Sequence, residues 1–262
     1  TEKKTGVCSS GLFFRISAMN QTIRTQIHTI GDFTFDNGET LPGIQLAYET
    51  YGTLNADKSN AILLFHALTG SHHAHGHNDS LPEAGDFWQP ENFEGWWDRM
   101  IGPGKPLDTE KYFIICINYL GSCYGSSGPC SIAPDGEPWG SRFPLVNAND
   151  QARAQIQVLD HFGIERFTVV GPSLGGMLSL SLATLYPTRI KNIIIIGAGY
   201  KPAIEHKLDA FEQILAIELD PAYREGRYPL SDPPRRGLAL ARMISHKHFV
   251  NQRGLEKRAR KG

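Results

Sequence analysis

Short aliphatic runs punctuate the chain at residues 61–65, 112–118, 167–170 and 193–196. Each is the length of a buried strand and too short for an ordinary helix. Residues 33–35 and 44–51 read as two more strands, joined through Asn37-Gly38, a pair that tolerates positive φ in a turn. Between the aliphatic runs the period changes. Ala148, Ala152, Ile156, Leu159 and Phe162 recur at helical spacing, with Asn149 and Asp150 near the start and Gly163 suited to close the helix. A second helix is predicted over 174–186, halted before Pro187. Unbroken aliphatic strands alternating with helices predict an α/β fold, a mostly parallel sheet flanked by helices and covered on both faces. Past Gly199 the pattern is all helical, over 203–219 and 235–260, with Pro221, Pro229, Pro233 and Pro234 between.

Composition narrows the picture. The chain has 262 residues, 40% hydrophobic and 20% charged, which suits one large globular α/β domain. Its 26 basic and 27 acidic side chains nearly cancel, leaving no field to attract nucleic acid or an anionic membrane. No apolar run approaches the ~20 residues of a membrane helix. Residues 1–18 lack the apolar stretch of a signal peptide and read as an appendage to the sequence that begins at Met19. Cys8, Cys116, Cys123 and Cys130 form no CxxC pair, and Cys116 sits in an apolar run, which favours free thiols and a cytoplasmic setting.

The candidate chemistry centres on Gly171-Pro172-Ser173-Leu174-Gly175-Gly176, a G-x-S-x-G between an apolar strand and a helix. A serine alcohol is a weak nucleophile and needs a base and donors for the developing oxyanion. A sharp strand-to-helix turn exposes the hydroxyl and leaves the next amide at a helix N-terminus. A second amide is expected from the loop after the third strand, here His66-Ala67-Leu68-Thr69-Gly70. Ser173 is therefore the candidate nucleophile, and the amides of Leu68 and Leu174 the candidate oxyanion hole. His72, His73, His75 and His77 suggest a metal site on spacing alone, but no further ligand set accompanies them, and a polar loop beside the site is the reading adopted. Trp88, Trp96, Trp97 and Trp139 are read as packing residues.

Several blocks together resemble the homoserine O-acetyltransferase family. They are His66-Ala-Leu-Thr-Gly70, Gly95-Trp-Trp-Asp98, Ile101-Gly-Pro-Gly-Lys105, Leu107-Asp-Thr109, Gly125-Ser-Ser-Gly-Pro129, Gly140-Ser-Arg-Phe-Pro144, the Ser173 turn, and the run from Arg235 to Met243. The resemblance spans about residues 25–260. It implies an α/β-hydrolase fold with a helical lid, divided into an extension over 1–24, a core over 25–199 and a lid region over 200–262. It also implies acetyl transfer from acetyl-CoA to L-homoserine through an acyl-serine, an early step in methionine synthesis. No cofactor is implied beyond the acyl-CoA substrate. Arg242 would meet the substrate carboxylate, and a homodimer is the implied assembly. The turn departs from the family pattern at Pro172 and Leu174, positions where Gly and Met are common; Leu174 acts through its backbone and a strand end accepts Pro172.

In this fold the triad runs Ser, then Asp or Glu, then His. The histidines after Ser173 are His206, His246 and His248, all in the helical region. The resemblance places the triad Asp and His on loops after two further strands, which are missing here, so no triad acid or base is assigned. Rival readings are a succinyl donor, serine as acceptor, plain ester hydrolysis, or a non-catalytic remnant.

Overall fold

The computed structural model describes residues 23–229 and 231–247, with isolated positions up to Arg260. Cys8, His248 and the proposed appendage over 1–18 lie outside the described residues. Six strands form one sheet: β1 (Gln26–Thr34), β2 (Thr40–Tyr51), β3 (Ala61–Leu64), β4 (Phe113–Ile117), β5 (Phe167–Pro172) and β6 (Ile190–Ile196). Their order is β1-β2-β4-β3-β5-β6. β1 pairs antiparallel with β2 and β2 antiparallel with β4, while β3, β4, β5 and β6 run parallel. The hairpin forms where the Asn-Gly pair predicts it, with Gly38 at φ 89°. β1 starts earlier than its apolar pattern suggested, because His28, Thr29 and Gly31 interrupt the alternation.

Helices α1 (Ala148–His161) and α2 (Leu174–Leu185) cover one face. The Asn147 side chain accepts from the Asn149 and Asp150 amides, and Asp150 accepts from the Asn147 amide. That reciprocal cap contributes about 1 kcal/mol and fixes the start of α1 one residue ahead of the polar pair read from the sequence. Odd-numbered strand residues such as Leu63, Ile115 and Val169 point into this face beside Ile156 and Leu159.

The opposite face is covered too, but by a different kind of structure. Ile62, Leu64, Ile114, Cys116 and Val170 pack there against Ala74, Ile101 and Leu107, with Trp96 and Trp97 over them. These covering residues belong to the long β3–β4 connection, which holds only short 3-10 turns. One face is thus covered by helices and the other by an irregular loop whose apolar residues do a helix's work. α3 (Ile204–Glu218) and α4 (Arg235–His246) form a separate hairpin. Gly237 lies against the Ala216 carbonyl, and the Asp220 carboxylate accepts the Gly237 amide at 2.8 Å. Within the predicted helical stretch 235–260, α4 ends at His246 with Lys247 as its cap, and of the described residues beyond it Gly254, Glu256 and Lys257 are helical again.

Candidate active site

β5 delivers Ser173 to the bend before α2, where it has φ 53° and ψ −121°. A non-glycine residue rarely adopts such a backbone, and the strain persists because both ends are held. The Ser173 amide donates to the Ile196 carbonyl at 2.9 Å, and its carbonyl accepts the Gly176 amide at 2.9 Å. The side chain itself is exposed. A Cβ on Gly175 would stand 2.8 Å from both the His66 carbonyl and Phe65 Cβ, so only glycine lets α2 begin against the end of β3. Gly171 has the same role, since a Cβ there would overlap the Gly175 carbonyl.

That close approach sets the start of α2 beside the residues that lead into the Leu68 turn. Leu174 is the first residue of α2, so its amide has no acceptor within the helix. Leu68 lies in the tight turn closed by the Gly70 amide donating to the Ala67 carbonyl at 2.9 Å, and its side chain is 75% exposed. His66 supports this turn from below. Its Nδ1–H donates to the Ala67 carbonyl at 2.8 Å, its ring stacks on Tyr119 at 3.7 Å, and the Tyr119 hydroxyl donates to the His66 carbonyl. Burial lowers the His66 pKa to about 3, with the nearby His72 pushing the same way and the Ala67 hydrogen bond opposing. The ring is therefore neutral and works as a strut, far too weak a base to deprotonate Ser173.

Among the described residues Ser173 Oγ makes no hydrogen bond to a histidine. His206 lies on α3 and His246 on α4, both exposed. Arg242 also lies exposed on α4, and no hydrogen bond or ion pair among the described residues joins it to the Ser173 turn. The structure thus sets the first turn of α2, which follows Ser173, against Phe65 and the His66 carbonyl at the head of the Leu68 turn, and leaves Arg242 on a separate element.

The histidine-rich loop is explained by acids from elsewhere in the chain. His73 Nδ1 meets Glu49 at 2.8 Å, His75 Nδ1 meets Asp98 at 2.6 Å, and His77 Nδ1 meets Glu94 at 2.7 Å. Among the described residues no group of three or more His, Cys, Asp or Glu is placed to hold a metal ion. Sequence reasoning missed the Glu49 cluster; the one cue was a single acid among the buried residues of β2, and nothing local named its partners. Trp88 is buried and donates to the Asn78 carbonyl at 2.9 Å, and Trp139 packs on Phe143. Cys116 is buried, Cys123 half-buried and Cys130 exposed, all as free thiols.

A family model described as the alpha/beta hydrolase fold matches residues 60–259. The chain is 46% identical over 220 residues to homoserine O-succinyltransferase of Bordetella pertussis, covering 82% of this chain and 50% of that protein. It is 44% identical over 223 residues to the enzyme of the same name from Acidithiobacillus ferrooxidans, covering 83% and 55%. The chain thus spans about half the length of the curated relatives it matches. Among solved structures, homoserine O-acetyltransferase from Bacillus anthracis superposes with a TM-score of 0.76 at 34% identity, covering 87% of this chain and 62% of that one. Esterase E22 superposes with a TM-score of 0.81 at 29% identity, covering 92% and 65%. The strained serine turn, the adjoining amide turn and these similarities agree: the chain belongs to the α/β-hydrolase fold family and, within it, is similar to homoserine O-acyltransferases.

Proposed function

We propose that this chain carries the nucleophile and oxyanion-hole part of a homoserine O-acyltransferase. The observation that carries the reading is Ser173, exposed at a strained bend whose helix start lies against Phe65 and the His66 carbonyl, just ahead of the Leu68 turn. Ser173 Oγ attacks the carbonyl carbon of an acyl-CoA thioester, and its proton passes to a base. The tetrahedral oxyanion is held by the amides of Leu68 and Leu174, a kind of contact worth about 10²–10³ in rate. Collapse breaks the C–S bond, and the CoA thiolate leaves with a proton. The hydroxyl of L-homoserine then attacks the acyl-serine, forming the ester and restoring Ser173. Arg242 is the proposed partner of the substrate carboxylate, because a guanidinium fork matches a carboxylate. No histidine or acid of this chain is assigned as the base or its partner.

The donor is acetyl-CoA or succinyl-CoA. The motif blocks resemble acetyltransferases, while the higher identity, 46% against 34%, is to proteins named succinyltransferases and favours succinyl-CoA. Ester hydrolysis is the second reading, supported by the superposition on esterase E22. A cytoplasmic location and a homodimer complete the proposal; among the described residues no helix is long and apolar enough to cross a membrane. The test is loss of acetyl-CoA or succinyl-CoA thioester with and without L-homoserine, using Ser173→Ala as control. Loss that requires homoserine and Ser173 is expected. Equal loss without any amino acid would replace transfer by hydrolysis, and no loss with either donor would contradict acyl transfer by this chain.

A further inference from the structure

The turn that carries Leu68 has two supports. His66 and Tyr119 hold its N-terminal side, and the other side continues through Ser71 into residues 72–78. That second segment is tied to β2 by two buried side chains, Glu49 and Tyr51, which are hydrogen-bonded to each other. Glu49, 0% exposed, lies on β2 opposite Cys116 of β4. Its Oε1 accepts from Thr25 Oγ1 at 3.0 Å and from Asn78 Nδ2 at 3.0 Å. Its Oε2 accepts from the Tyr51 hydroxyl at 2.7 Å and from His73 Nδ1 at 2.8 Å. The Tyr51 oxygen in turn accepts the Ala74 amide at 2.7 Å. One carboxylate therefore gathers both ends of the segment from His73 to Asn78.

Proton bookkeeping fixes the charges. His73 Nε2 faces the Phe93 carbonyl at 3.0 Å, and a carbonyl can only accept. With Nδ1 facing a carboxylate, both ring nitrogens carry protons and His73 is an imidazolium. His72 Nε2–H donates to Thr25 Oγ1 at 2.8 Å, which leaves its hydroxyl proton for Glu49. The two outer pairs differ in kind. Asp98 and Glu94 are about half exposed or more, so water and salt screen them, whereas Glu49 and His73 are both fully buried. Glu49 is the tie that matters.

We propose that Glu49 is a positioning residue for the oxyanion turn: through His73, Asn78 and Tyr51 it clamps the segment leaving that turn and so sets where the Leu68 amide points. The proposal rests on the acyl-transfer reading for its kinetic consequence and on geometry alone for its structural one. Ser71 links the two parts, since its hydroxyl accepts the His73 amide at 3.2 Å and its carbonyl accepts Trp96 Nε1–H at 2.9 Å. Release of Glu49 frees the turn on one side while β3, β4 and β5 keep their own ladder.

The test compares wild type with Glu49→Gln, which keeps the side-chain volume and removes the charge. Thr25→Val, which removes one peripheral hydrogen bond, serves as the milder variant should Glu49→Gln fail to fold. Backbone amide exchange is followed segment by segment, and the rate of Ser173 acylation by acyl-CoA is read as kcat and KM. Expected for Glu49→Gln is roughly tenfold faster exchange over residues 67–78 with β3–β5 unchanged, together with a roughly tenfold lower kcat at constant KM, as misplacement of one oxyanion donor predicts. Thr25→Val shifts the same segment by less.

A pH series adds a readout that mere packing would not move. Burial opposes the charge on both partners. The His73 hydrogen bond and the two imidazoles outweigh it at Glu49, and the Glu49 contacts outweigh it at His73, so Glu49 titrates low and His73 high. Tyr51, His72 and Cys116 are the other titratable groups facing the pair. The stabilisation is complete between the ordinary Glu and His values. It is lost as pH falls through the lowered Glu49 value or rises through the raised His73 value. Protection of residues 67–78, corrected for intrinsic exchange, falls on the alkaline side in wild type and shows no such step in Glu49→Gln. Unchanged exchange in the segment, exchange rising equally throughout the sheet, or a loosened segment with unaltered kcat would each overturn the proposal. If wild-type Ser173 takes no acyl group, the acyl-transfer reading fails by itself, and the exchange data alone decide whether Glu49 sets the turn.

Discussion

β4 and β6 are both isoleucine-rich parallel strands, yet the structure treats them differently. Every residue of β4 is buried, whereas among the described residues β6 pairs only with β5 and leaves Ile194 47% exposed. α1 and α3 make the same contrast. α1 buries Ala152, Ile156, Val158 and Leu159, while α3 presents Ile204, Leu208, Phe211 and Leu215 at helical spacing with Phe211 59% exposed. The residue types are alike in the two regions, and the difference lies in what packs on them. An apolar pattern states a need for cover, and tertiary context decides whether that need is met.

Core substitution gives the largest test of this contrast. Leu63, 0% exposed between β4 and β5, is expected to cost about 2–5 kcal/mol when changed to Ala, through lost burial and the cavity left behind. Chemical denaturation measures it. Gly175→Ala comes next, at about 1–3 kcal/mol, because the new Cβ meets the His66 carbonyl just past β3. Phe211→Ala on α3 should change stability by no more than about 0.5 kcal/mol, as an exposed side chain does. A Phe211 cost as large as that of Leu63 would mean that the exposed face of α3 is covered in solution, and the contrast would dissolve.

The sheet was largely legible in the sequence because buried parallel strands are unbroken aliphatic runs. Strands β3 to β6 all arose from such runs, and the serine turn followed from glycine spacing in its strand–helix context. β1 was only partly legible, since polar residues and Gly31 break its period and its pairing depends on β2. The loop-covered face was not legible, because Ile101 and Leu107 reach it through a connection with no regular period. The Glu49 cluster was hidden for a related reason: its partners Thr25, His73 and Asn78 are 24 to 29 residues away in sequence and only the fold brings them together. Ser173 could be read locally, while the support of its oxyanion turn could not.

The central claim is that Ser173 accepts an acyl group at this bend. Peptide mass spectrometry after mixing the 262-residue protein with acetyl-CoA or succinyl-CoA tests it most directly. The account predicts one acyl group on the peptide containing Ser173, absent from Ser173→Ala and discharged when L-homoserine is added. An acyl group on another residue, or an unmodified Ser173 after exposure to both donors, would contradict it.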